Sequence, residues 1–88
     1  MYNIEIKPSC QESIEKLCRK NPVLRNSLEK KMQQVVEDPY RFKPLRHDLA
    51  GERRVHIMKS FVLRFAVNEA AKTVVFLFFG HHDEAYRR

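Results

Sequence analysis

"TVVFLFF", Thr73–Phe79, is the stretch on which the fold turns. It is a run of β-branched and aromatic residues with no charge. "NEAAK" (Asn68–Lys72) bounds it as a turn on one side, and Gly80 on the other. A helix needs a longer run, and a half-exposed strand would alternate. The segment therefore reads as a strand covered on both faces, inside a sheet.

Reading backwards, "FVLRFAV" alternates. Phe61, Leu63, Phe65 and Val67 share one face, and Val62, Arg64 and Ala66 the other. In "RRVHIM", Val55 and Ile57 oppose Arg54, His56 and Met58. Residues 39–51 hold Pro39, Pro44 and Gly51 and read as a connecting loop. Before it, Leu24, Leu28, Met32, Val35 and Val36 mark one stripe of a helix. Asn21-Pro22 opens that helix and Asp38-Pro39 closes it. Cys10, Ile14, Leu17 and Cys18 mark a shorter helix, for which Ser9 and Glu12 predict a capping box. The first segment, "MYNIEIK", alternates as a half-buried strand that Pro8 ends. The order is β-α-α-β-β-β. It describes an α+β fold, with an antiparallel-rich sheet packed on an N-terminal αα-hairpin, and residues 1–88 form one domain.

Composition narrows the setting. The 88 residues are 43% hydrophobic, too many for a disordered chain, yet no apolar run could cross a bilayer. No basic segment followed by an apolar stretch opens the sequence, so the expectation is a cytoplasmic protein without membrane contact. Cys10 and Cys18 are eight residues apart. On one helix that is ~12 Å, beyond the ~7 Å a disulfide tolerates. They read as small buried apolar residues of a reducing compartment, the alternative being an intermolecular or reactive thiol. Net charge is +6, and residues 41–64 hold seven Lys or Arg against two acids. Such clustering suits a polyanion, nucleic acid or an acidic protein, unless it is merely a solvated face.

The helices claim the apolar face of the sheet, leaving the other open. Arg54, His56 and Arg64 lie there, with Val62 and Ala66 small enough to leave a depression. The last strand carries Gly80, His81, His82 and Tyr86 to the rim. Arg and Lys hold phosphates, while aromatics and imidazoles stack on bases. The same set suits RNA cleavage by the 2′-hydroxyl, which needs a base, an acid and cations around the phosphate. Plainer readings stand beside these. His47 reads as a loop surface residue, and His56 equally as an exposed strand residue. Tyr86 reads equally as a packing anchor, and Asp83 and Glu84 as the start of a helical turn. No H-E-x-x-H or Cys/His ligand spacing appears, so neither metal nor cofactor is expected.

The loop "DPYRFKPLRHDLAG", the strand pair "RRVHIMKSFVLRFAV" and the end "VVFLFFGHHDEAY" resemble the RelE/ParE superfamily of toxin–antitoxin toxins over nearly the whole chain. The resemblance implies a RelE-like, microbial-ribonuclease-type fold. RelE-like members are mRNA interferases that cleave mRNA in the ribosomal A site. Partners are then ribosome, mRNA and a cognate antitoxin, a small acidic or amphipathic protein. By position, His82 matches the C-terminal catalytic histidine of YafQ-like members and Tyr86 their terminal aromatic. Arg54 and Arg64 become the phosphate-holding catalytic cations, and His56, Lys59, Arg53, Arg46 and Lys43 the RNA contacts. Many members read Tyr-Arg where this chain reads Phe61-Val62; Arg64 lies on the same face, two residues on. Two other readings remain: a ParE-like, non-enzymatic inhibitor of DNA gyrase, and a nucleic-acid-binding module without chemistry.

Overall fold

The structure, a computed structural model, describes residues 1–85. Its order is β1 (Asn3–Ile6), α1 (Pro8–Cys18), α2 (Pro22–Glu37), β2 (Lys43–Pro44), β3 (Glu52–Ile57), β4 (Phe61–Asn68) and β5 (Thr73–His81). Short 3₁₀ turns span Pro39–Arg41, His47–Leu49 and His82–Glu84. One sheet of order β1-β5-β4-β3-β2 carries both helices on one face. The Thr73–Phe79 segment is an interior strand, parallel to β1 and antiparallel to β4. This is the α+β fold the sequence announces.

Three local readings need correction. The helix α1 begins at Pro8 with Lys7 as N-cap, and no side chain caps it. Proline's fixed φ suits the first helical position, so Ser9 already lies inside the helix and the Ser9/Glu12 box does not form. The segment 39–51 is not all loop: Lys43 and Pro44 pair with Arg54 and Arg53 as a fifth strand. Ile4 is 52% exposed because β1 is an edge strand, while Tyr2 and Ile6 are half-buried.

The core lies between the helices and the sheet. Cys10, Ile14, Leu24, Leu28, Val35 and Val36 meet Val55, Ile57, Leu63, Phe65, Val74, Phe76 and Phe79. Asn21 caps α2 by accepting from the Leu24 amide at 3.1 Å. Cys10 and Cys18 are free and buried, and burial pushes the Cys10 thiol up to about 11.

The feature that positions the site is a β-bulge. Phe65 pairs with Phe76, whereas its neighbour Arg64 pairs with Phe78, leaving Leu77 as an extra residue in β5. Strict alternation would send residues 74, 76, 78, 80 and 82 to one side. The bulge resets the count, so Phe76 and Phe79 both enter the core while Phe78 and Gly80 face the open side.

Candidate nucleic-acid interface

The register writes the open face as rows. Lys43, Arg54, Arg64 and Phe78 stand opposite one another across β2, β3, β4 and β5. The next row is His56, Val62 and Gly80, and His82 follows two residues beyond Gly80. The His82 amide donates to the Ser60 carbonyl at 2.7 Å, tying the end of β5 to the β3–β4 loop. That tie brings the His82 imidazole against His56, with ring centroids 5.5 Å apart and planes 18° from parallel. His81 goes the other way and packs on Phe61 at 4.7 Å. The bulge thus decides which of two adjacent histidines joins the basic row.

Burial lowers the His56 pKa from its usual 6.5, and the charges of Arg54 and His82 lower it further. The ring therefore favours the neutral form near neutral pH. The Asp83 carboxylate lies 3.8 Å from His82 Nδ1, beyond a hydrogen bond.

The two open-face arginines differ. Arg64 donates to Glu52 at 2.6 Å, lies over the Phe78 ring at 5.0 Å, and is 13% exposed. Arg54 is half-buried and stands directly opposite it in the register. Gly80 serves this arrangement, since a Cβ there would lie 2.7 Å from the Phe78 ring. Val62 is wholly buried outside the helix-side core, so the expected depression at Val62 is filled; Ala66 is half-buried.

The remaining candidates scatter. Lys59 and Arg46 are exposed on loops. Lys43 is exposed and joins the cation row. Arg53 does not join it: odd-numbered positions of β3 face the helices, and its guanidinium donates to the Phe42 carbonyl at 2.7 Å and lies over Tyr40. Tyr86 lies outside the described residues. Sequence reasoning missed Glu52 and Phe78 as members of the face. The same two-residue spacing that selects Arg54 and His56 also selects Glu52. Among the described residues, no group of three His, Cys, Asp or Glu is placed to hold a metal ion.

Residues 4–86 match the family model described as ParE toxin of type II toxin–antitoxin system. The chain belongs to this family of toxins. A relative from Methanocaldococcus jannaschii named "Putative toxin RelE4" is 44% identical over 88 residues, 100% of this chain and 94% of its own. Two solved structures share the fold. YafQ from E. coli has a TM-score of 0.78 at 19% identity, covering 99% of this chain and 100% of its own. The toxin–antitoxin complex RelBE2 from Mycobacterium tuberculosis gives 0.76 at 24% identity, covering 92% of this chain and 98% of that one. No helix among the described residues of this toxin is long and apolar enough to cross a membrane.

Proposed function

We propose that this toxin is an mRNA endonuclease that acts on ribosome-bound message in the cytoplasm, without a metal, and is neutralised by a cognate antitoxin. The observation that carries the reading is the stacked His56–His82 pair at the end of a cation row. Two imidazoles on adjacent sites supply one proton acceptor and one proton donor near neutral pH. His56, biased toward the neutral form, takes the proton of the 2′-hydroxyl. The 2′-oxygen bonds to the adjacent phosphorus as the bond from phosphorus to the 5′-oxygen breaks. His82, protonated, gives its proton to that leaving oxygen. The products are a 2′,3′-cyclic phosphate and a 5′-hydroxyl. Arg54 and Lys43 neutralise the phosphate, Arg64 adds charge from the same row, and Lys59 and Arg46 extend the contact along the message. Arg53 supports this surface by fixing the segment before β2. Tyr86 stacks on a base or assists proton transfer. Primer extension on ribosome-bound mRNA with purified toxin tests this reading; intact message at stoichiometric toxin rejects it.

A second reading, inhibition of DNA gyrase by protein contact, is what the resemblance to ParE-like toxins implies, and the matching family model is described as a ParE toxin. Induced expression separates the two. The first predicts that translation halts while replication continues. Early failure of DNA synthesis with persistent polysomes supports the second.

A further inference from the structure

On the open faces of β2, β3 and β4 there is one carboxylate, Glu52, and it sits on Arg64. The contact is a single 2.6 Å bond from one terminal guanidinium nitrogen to one carboxylate oxygen. Both side chains are largely withdrawn from water, 13% and 23% exposed. The Arg64 Nε is buried and makes no hydrogen bond among the described residues. A permanent arginine–carboxylate bridge normally engages the guanidinium by two parallel bonds, and an orphaned buried donor is unfavourable. Arg54 stands directly opposite Arg64, so an anion between them would meet two guanidinium groups. A phosphodiester has two non-bridging oxygens to offer, whereas Glu52 uses one oxygen here.

We infer that Glu52 is an internal competitor for RNA: in the free toxin its carboxylate occupies the Arg64 position that a phosphodiester of the message takes on binding. The inference rests on the reading of the open face as an RNA site. Glu52 then weakens binding to any single-stranded polyanion, and the toxin engages RNA by exchanging one anion for another at Arg64. The phosphate takes the terminal guanidinium nitrogen that Glu52 holds in the free toxin. Arg64 stays stacked on Phe78 throughout, so the exchange needs a swing of Glu52 and no change in the sheet.

The test measures binding of a 2′-deoxy-substituted, uncleavable single-stranded RNA by anisotropy across a salt series. Wild type, Glu52→Gln, Arg64→Met, the double variant, and Glu12→Gln as a distant charge control are compared, with thermal melts to confirm folding. Glu52→Gln is expected to tighten binding about three- to tenfold and to steepen the salt dependence by ~0.7, one single-strand phosphate contact. Glu12→Gln, which removes the same charge from the exposed side of α1, is expected to do neither. In the Arg64→Met background the gain from Glu52→Gln should disappear, because it acts through that guanidinium. Equal tightening with and without Arg64 means a net-charge effect and overturns the inference. Weaker binding by Glu52→Gln makes Glu52 a support for Arg64 and overturns it too. Absence of RNA binding by every folded variant removes the RNA reading of the face together with this inference. Normal wild-type binding with no Glu52 effect removes the inference alone.

Discussion

The two ends of β4 carry the polar chemistry of this toxin, and they use it in opposite ways. Beyond Asn68, the Glu69 carboxylate accepts from Tyr2 at 2.8 Å, from Tyr40 at 2.6 Å, and from Lys72. One acid there joins the β4–β5 turn, the N-terminal strand and the 3₁₀ turn after α2. Tyr2 and Tyr40 meet edge-to-face at 6.4 Å, and Lys72 lies over the Tyr2 ring. At the other end, Lys43, Arg54 and Arg64 stand in one row, Glu52 binds Arg64, and two histidines stack on each other. The first cluster balances its charge internally and holds the fold. The second gathers three cations and two imidazoles along one face of the sheet, the arrangement that suits a polyanion.

The sharpest way to break this comparison is His82→Ala. If His82 moves a proton in the transition state, cleavage should fall ~10²–10⁴-fold. Stability should change by about 0.5 kcal/mol or less, because the side chain is half-exposed at a turn. His81→Ala should keep its cleavage rate, since that ring packs on Phe61 on the other side of the sheet. Loss of activity in His81→Ala with wild-type rates in His82→Ala would place the chemistry on the helix side and end the distinction drawn here.

The pH profile is the next largest effect. His56 must be neutral to accept a proton, and its pKa lies below 6.5. The cleavage rate should therefore fall about tenfold per pH unit only once the pH drops below that lowered value. Around His56 stand Arg54 on its own strand, Lys43 on β2, Arg64 on β4, and His82 beyond β5. Arg54 and His82 are the charges that push the His56 pKa down after burial. Arg54→Gln should thus move the acid limb to higher pH. An acid limb centred above pH 7 in the wild type would remove His56 as the base.

Much of this arrangement was legible in the sequence, for a definable reason. The strands β3 and β4 alternate cleanly, so the face holding Arg54, His56 and Arg64 follows from period two. The strand β5 carries apolar residues on both sides, so its sequence has no phase, and nothing in "FLFF" marks Leu77 as the bulge. Only packing fixes it: Phe76 and Phe79 both fill the core, and an extra residue must lie between them. The strand β2 escaped because two residues beside Pro44 carry no periodic signal. Arg53, an RNA contact by resemblance, lies on the opposite side of β3 from Arg54, because neighbours in a strand face opposite ways.

The tyrosine cluster makes a weaker prediction, read in stability. Its hydrogen bonds with Lys72, Tyr40 and Tyr2 hold the Glu69 carboxyl down at about 2. A carboxylate whose pKa is depressed by folding stabilises the native state above its unfolded value. That contribution is lost as pH falls from the ordinary carboxylate range toward about 2. Wild type should melt above Glu69→Gln at pH 7, and the two curves should converge as pH approaches the lower limit. Because the groups are solvent-exposed, the difference should also shrink with salt. A gap that persists unchanged at low pH would mean that the amide itself disrupts the turn.

The smallest effect compares the two left-handed residues that flank β4 and β5. Met58 (φ 56) sits in the turn entering β4, and Lys72 (φ 50) in the turn entering β5. An L-residue in this region costs ~1–2 kcal/mol. Glycine avoids that cost but loses ~0.5–1 kcal/mol of chain entropy on folding. Met58 is 51% exposed, so little packing is lost when its side chain goes. Met58→Gly should therefore be neutral to stabilising by about 0.5 kcal/mol, and should leave cleavage intact. Lys72→Gly removes the same strain together with the ammonium that binds Glu69. It should melt below Met58→Gly at low salt, with the gap closing as salt rises. Equal melting of the two variants at all salt concentrations would show that the Lys72–Glu69 contact adds nothing. The tyrosine hydroxyls alone would then hold the carboxylate, and the cluster would not depend on charge pairing.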